Sequence, residues 1–373
     1  MEKKEETLKA EVFVDPANRA IRSPVYNMLF RGLRKEGEQW LEDGTLIRWG
    51  AKPEDDPSFC PFGPEIVDCE IGSGKCSGVG VGGCSFCYKD NAPNKPAQNM
   101  SLATYKQVLD KLAKSPALGQ VALGITGVKD NPDLINIMRY TRDKGIFPNF
   151  TLTGADLDLE MAQDMGDLCG ALAVSCSPAN PNLCFDTVEL FTSLGVQQTN
   201  IHVVVSEETM EFVNFVLESQ KRDPRLKRMN AVVCLMVKPK GRAKGRFHPP
   251  SEESYQKMIH KCLTEGLRIG FDSCSANRFA RAVNTGEFSE KRKERLIQDS
   301  DPCESLCFSM YVNSNAKIFP CSFGEPCEGW GEGLDLLAAE DFIKDIWYHP
   351  LAHEWRVKLL ELGRDCPLFP EIR

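Results

Sequence analysis

The sequence predicts an open, partial parallel α/β barrel of (β/α)6 type, with an N-terminal extension and a small cysteine-rich C-terminal domain. Three observations point there. Seven short strand-like runs alternate with helix-like runs between Glu65 and Asp272. No eighth unit follows, so the barrel is left incomplete. The alternation then stops at Cys274 and gives way to a stretch dense in cysteine, serine and proline. Regular strand–helix alternation is what a parallel sheet covered by helices requires.

Taken in order, residues 1–64 read as the extension. It holds a helix-like stretch at Val25–Gly37 and a hairpin-like segment, Gln39–Trp49, centred on Asp43-Gly44. A Pro-rich linker, Lys52–Pro64, follows. The barrel occupies 65–275. Its strands are expected at Glu65–Ile71, Gln120–Ile125, Asn149–Thr153, Gly170–Cys176, Gln198–Val205, Asn230–Val237 and Arg268–Asp272. Helices are expected between them at Ser101–Ala113, with Ser101 as N-cap, and at Asn131–Lys144, with Pro132 in the first turn. Four more are expected at Leu157–Leu168, Asp186–Leu194, Glu208–Ser219 and Glu252–Gly266. Residues 276–373 form the last region, with a charged connecting run to 300 and a helix-like Phe342–Leu362.

At 373 residues the chain buries a core of ordinary size without disulfide staples. Its 42% hydrophobic and 26% charged residues are those of a soluble globular protein. A net charge of −8 argues against a nucleic-acid partner, which needs a concentrated basic face. One local exception, Lys238-Pro-Lys-Gly-Arg-Ala-Lys-Gly-Arg246, reads as a solvated loop, with an anion-binding lip as the alternative. The charged start, Met1–Thr7, lacks signal-peptide character, and no apolar run approaches the roughly 18 residues of a membrane span. A cytoplasmic location is therefore expected. Disulfides are not expected in that reducing compartment, so 16 cysteines point to thiolate metal ligands.

The segment that carries chemistry is Cys76-Ser-Gly-Val-Gly-Val-Gly-Gly-Cys84-Ser-Phe-Cys87-Tyr88, directly after the first barrel strand. A CxxC pair lets two thiolates bind neighbouring irons of one cluster, and the glycines let backbone amides approach its sulfides. Three cysteines rather than four leave one iron open to a chelating molecule. A zinc knuckle is the alternative; it wants four ligands at a closed site, and only Cys60 and Cys69 lie nearby upstream. The glycine spacing does not match a dinucleotide-binding loop.

This segment resembles the cluster loop of the radical S-adenosylmethionine (SAM) superfamily, CxxxCxxC with an aromatic residue before the last cysteine, here Phe86. The first gap holds seven residues instead of three. What the resemblance implies is a [4Fe–4S] cluster on Cys76, Cys84 and Cys87 that binds SAM through its open iron. One electron then splits a carbon–sulfur bond of SAM, and the 5′-deoxyadenosyl radical formed takes hydrogen from a substrate. The resemblance also implies SAM contacts at Tyr88, at Gly124, Thr126 and Gly127 in place of a Gly-Gly-Glu-Pro stretch, at Thr153, and at Ser175 and Ser177. His202 and Met236 are expected to face the barrel mouth. Each strand-end Ser or Thr also has a plain reading as a turn residue.

Cys307 to Cys321 reads as a hairpin around Asn313-Ser-Asn-Ala, and the tail ends in Cys366-Pro-Leu-Phe. This resembles the SPASM/Twitch auxiliary-cluster domains of radical SAM enzymes, with Ala316 standing where their hairpin has glycine. The resemblance implies one auxiliary Fe–S cluster on Cys274, Cys303, Cys321 and Cys366, with Cys307 and Cys327 as substitutes; zinc on the same ligands is the alternative. Cys60, Cys69, Cys169, Cys176, Cys184, Cys234 and Cys262 read as ordinary buried thiols. The implied substrate is a peptide or protein side chain, and the implied electron donor is of flavodoxin or ferredoxin type. Two other readings stand beside it: the same chemistry on a nucleotide-derived or cofactor-precursor molecule, and a non-enzymatic zinc-binding protein.

Overall fold

A computed structural model describes residues 10–15, 18–32, 35–36, 39–40, 44–76 and 83–373, with side chains at all of these except 35–36 and 39–40. The extension is a four-stranded antiparallel sheet: β1 (Glu11–Val14), β2 (Asn18–Arg22), β3 (Asn27–Arg31) and β4 (Leu46–Trp49), in that order. β3 replaces the helix expected from Val25. Its side chains alternate, with Met28 and Phe30 buried between more open neighbours, which is a strand period. The Ser23 hydroxyl fixes the preceding turn, accepting from Tyr26 N at 2.9 Å and donating to Tyr26 O at 2.7 Å. The arms of the expected hairpin do not pair with each other. Leu46–Trp49 pairs with β3 and Gln39–Trp40 with Lys35–Glu36, while Asp43 lies outside the described residues.

All seven barrel strands are present: β5 (Ile66–Glu70), β6 (Gln120–Gly124), β7 (Phe147–Leu152), β8 (Leu172–Ser175), β9 (Thr199–Val205), β10 (Val232–Met236) and β11 (Ile269–Phe271). They lie side by side in chain order and all parallel. The crossovers are α1 (Leu102–Leu112), α2 (Leu134–Asp143), α3 (Leu159–Leu168), α4 (Pro181–Ser193), α5 (Met210–Arg222) and α6 (Glu252–Glu265). Ser101 caps α1 as expected, accepting from Thr104 N at 3.2 Å. Helix α4 starts at Pro181, well before the expected Asp186. Asn180 supplies the N-cap and Pro181 the pre-set first turn, a signal the sequence does contain.

The helices α7 (Ala276–Thr285), α8 (Glu290–Gln298) and α9 (Pro350–Glu361) follow the barrel, with a π-helical turn at Phe342–Trp347 before α9. The expected hairpin is β12 (Ser309–Val312) with β13 (Lys317–Phe319), and β14 (Leu334–Asp335) adds to it. Its first strand lies parallel to β5, so one sheet of ten strands runs from β11 through the barrel into the hairpin. Ala316 turns the hairpin at φ +58°, the left-handed conformation for which glycine is the usual choice.

Along β5–β10 the outward positions are apolar and pack under the helices, as with Val67, Val121, Val174, Ile201 and Val232. Alternate positions face inward; most are polar or small, as with Asp68, Ala122, Thr151 and Ser175, with Val204 and Leu235 as larger apolar ones, and the barrel centre stays hollow. The Pro-rich segment read as a linker is wedged between elements. Cys60 N donates to Cys307 O at 2.9 Å, and Trp347 Nε1 donates to Cys60 O at 2.9 Å. Beside it, Arg48 of β4 bridges Glu65, at 2.5 Å, and Glu304. Among the described residues, no helix is long and apolar enough to cross a membrane.

Candidate active site

The hollow centre opens at the carboxyl ends of the strands into a cavity of about 580 Å³. Its wall takes side chains from β5 to β10, from the loop after β5, and from the segments around Cys303, Cys321 and Cys366. All seven cysteines expected as metal ligands line this one cavity, in two groups. Cys76, Cys84 and Cys87 sit on the loop after β5, partly exposed. A turn brings Cys84 and Cys87 together, with Cys87 N donating to Cys84 O at 3.2 Å.

The second group gathers Cys274 just after β11, Cys303, Cys321 just after β13, and Cys366 near the end of the chain. Any charge on Cys303 is felt by Cys274, Cys321 and Cys366, so the four are electrostatic neighbours. Burial pushes every one of these thiols up, Cys321 to about 12, and the Lys238 ammonium partly opposes this at Cys274 and Cys366. The substitutes are elsewhere: Cys307 is buried in the core beneath the extension, and Cys327 is off the cavity wall. The cysteines read as ordinary are buried; Cys69 is the one of them that reaches the wall. Cys176 and Cys184 lie side by side off it. Among the described residues, no three His, Cys, Asp or Glu side chains converge on a single-ion position.

Lys238–Arg246 is a solvated loop only in its second half, where Lys244 and Arg246 are exposed. Lys238 is 4% exposed and pairs with Asp272 behind the second cysteine group. Lys240 donates to the carbonyls of Phe323, at 2.8 Å, and Glu325. Arg242 clamps the first group: Nε donates to Cys84 O at 2.8 Å, a guanidinium nitrogen to Asn91 O at 2.7 Å, and the backbone N–H to Cys87 O at 3.0 Å. Gly241, at φ +58°, passes so close to the Cys87 and Tyr88 carbonyls that a Cβ would collide with both. Three of the loop's cations therefore turn inward. The strand period gives no cue for this, because Lys238 and Lys240 are in step with the outward-facing Val232 of β10.

Of the expected SAM contacts, Tyr88, Gly124, Thr126, Thr153 and Ser175 line the cavity, as do His202 and Met236. Gly127 and Ser177 do not. The Gly127 N–H is held by Asp130 at 2.7 Å, and the Ser177 hydroxyl accepts from Ala179 N in the turn that leads into α4. Burial lowers His202 to about 4, so its imidazole is neutral at pH 7. Tyr88 packs on Phe323 with ring centroids 4.3 Å apart, joining the first cysteine loop to the second group. A charged network absent from the sequence reading makes the same join. Lys89 reaches Glu70 of β5 at 3.2 Å, Glu325 at 2.5 Å and the Tyr311 hydroxyl at 2.5 Å.

These features define the class: an open parallel barrel whose mouth carries a three-cysteine loop on one side and four assembled cysteines on the other. No known family's sequence pattern and no curated protein matches the chain. Solved structures do. SuiB of Streptococcus suis superposes with a TM-score of 0.56 at 14% identity, over 79% of this chain and 68% of its own. SuiB has also been solved bound to S-adenosylmethionine, with a TM-score of 0.55. The protein anSMEcpe, solved with AdoMet and a Cp18Cys peptide bound, superposes at 0.56 and 14% identity, over 78% of this chain and 82% of its own. The chain has the fold of these SAM-binding proteins, the partial barrel its sequence resemblance implied.

Proposed function

We propose that this chain is a radical SAM enzyme that modifies a peptide or protein side chain. The observation that carries the reading is the meeting of Cys76, Cys84 and Cys87 with Cys274, Cys303, Cys321 and Cys366 in one cavity at the carboxyl ends of parallel strands. The donor set fits the implied groups: three thiols close along one segment suit a cluster with one open iron, and four thiols gathered from separate elements suit a closed one. A reduced cluster with SAM bound supplies a 5′-deoxyadenosyl radical.

The protein's own work is positioning and enclosure. Arg242 and Gly241 fix the cysteine loop, and Lys89 ties it to the wall that bears the second group. Gly124, Thr126, Thr153 and Ser175 offer small or hydroxyl surfaces where SAM would lie. Leu235, Met236, Phe323, Leu368 and Phe369 make the wall apolar and keep water from a reactive centre. Support for a peptide substrate comes from the peptide held by anSMEcpe. The phosphate-bearing alternative draws less support from this loop, because Lys238, Lys240 and Arg242 are engaged and only Lys244 and Arg246 remain exposed.

The test is 5′-deoxyadenosine release after anaerobic reconstitution and reduction, by wild type and by a Cys76/Cys84/Cys87→Ala variant. Release by wild type alone is expected. A colourless, zinc-loaded wild type that releases none would refute the reading.

A further inference from the structure

Three carboxylates line the cavity among the described residues: Asp68, Glu70 and Asp272. Two have protein cations. Glu70 has Lys89, and Asp272 has Lys238 together with the Ser275 hydroxyl at 2.6 Å. Among the described residues Asp68 has neither ion pair nor hydrogen bond; its side chain is exposed to the cavity, and partial loss of bulk solvent around it raises the carboxyl to about 6. It stands mid-strand on β5, in register with Ala122 on one side and Tyr311 on the other. Its accessible surface opens into the cavity. Ala122, Thr151, Leu235 and neutral His202 share that interior, so no wall residue beside it supplies positive charge. Asp68 is exposed to the cavity, so its carboxylate is free to meet a ligand there, whereas those of Glu70 and Asp272 are already engaged by protein cations.

We propose that Asp68 anchors the cationic nitrogen of a substrate side chain, a lysine-type ammonium or an arginine-type guanidinium. The inference rests on the peptide reading above and narrows it. Charge-assisted pairing on a cavity wall is stronger than a neutral hydrogen bond and selects a matching positive charge. The competing source of that chemistry is SAM itself, through its ammonium or sulfonium.

The experiment titrates reconstituted wild type and Asp68→Asn with three labelled short-peptide pools, alike except for a fixed central Lys, Arg or norleucine. SAM is titrated separately. Wild type is expected to bind the Lys or the Arg pool about tenfold or more tightly than the norleucine pool. Asp68→Asn is expected to bind all three alike, with a smaller loss for SAM than for the preferred pool. A wild type without preference overturns the proposal, as does a preference that survives in Asp68→Asn. An equal or larger loss for SAM assigns the carboxylate to SAM and overturns it too. The wild-type comparison of Lys, Arg and norleucine pools needs no variant, and a melting temperature of Asp68→Asn at or above wild type shows that the carboxylate is not part of the fold. Release of 5′-deoxyadenosine from SAM alone is followed in parallel, so loss of the radical reading is seen separately from loss of the Asp68 assignment.

Discussion

The two cysteine groups face each other across one cavity but are made in opposite ways. Cys76, Cys84 and Cys87 belong to a single glycine-rich loop, partly exposed, with almost no core of its own. It is held from outside by Arg242, Gly241 and Lys89. Cys274, Cys303, Cys321 and Cys366 come from four separated places and are brought together by the packing of strands and helices, with Cys303 and Cys366 buried. A local group is cheap to close but needs clamps; a dispersed group needs the whole fold and then needs no clamp. Lys238 and Lys240 sit on the far side of the same clamp loop, so the two arrangements share a short connecting segment.

Breaking each group separately gives the largest effects. Cys87→Ala is expected to remove about four irons per chain and all 5′-deoxyadenosine release, whereas Cys321→Ala removes the other cluster's iron and spares SAM cleavage. Iron analysis and product release on the same preparations check this, and loss of both clusters from either variant would mean that the groups are not independent. Lys238→Met leaves the half-buried Asp272 with only the Ser275 hydroxyl and is expected to cost about 1–3 kcal/mol in chemical denaturation. Arg242→Ala leaves the fold intact but loosens the loop. Iron at the first group should then be lost to a chelator about 10–100-fold more readily, with the second group unchanged.

Two smaller effects sharpen the picture of the wall between them. His202 is neutral down to about 4 in the folded chain, against about 6.5 unfolded, so the unfolded chain binds the extra proton between those values. Stability therefore rises with pH from about 4 to about 6.5, and His202→Phe should flatten that part of a denaturation-versus-pH curve. An unchanged slope would place the imidazole in contact with water. Ala316→Gly relieves a left-handed alanine but gives up a buried methyl group and adds backbone entropy to the unfolded chain. The net change expected in melting is less than about 1 kcal/mol.

Much of the barrel was legible because its signals are local. Each strand is a short apolar run, each helix has a cap or periodic face, and Cys84-Ser-Phe-Cys87 encodes its own turn. Where local signals were thin, the reading went wrong. Val25–Arg31 contains good helix formers, yet pairing with β2 and β4 made Asn27–Arg31 a strand. The run Lys238–Arg246 has the composition of a solvated loop, and only its position against Cys84, Cys87 and Asp272 turns Lys238, Lys240 and Arg242 inward.

By itself, then, the sequence determined the order of strands and helices, the three-cysteine loop and the supply of further thiols, because these depend on residues close along the chain. Only the tertiary structure decided which distant cysteines meet, that β12 extends the barrel sheet beside β5, and that Asp68 faces the cavity unpaired while Glu70 and Asp272 do not. Pairing between residues far apart in sequence is set by the packing of the whole sheet, and no spacing along the chain records it.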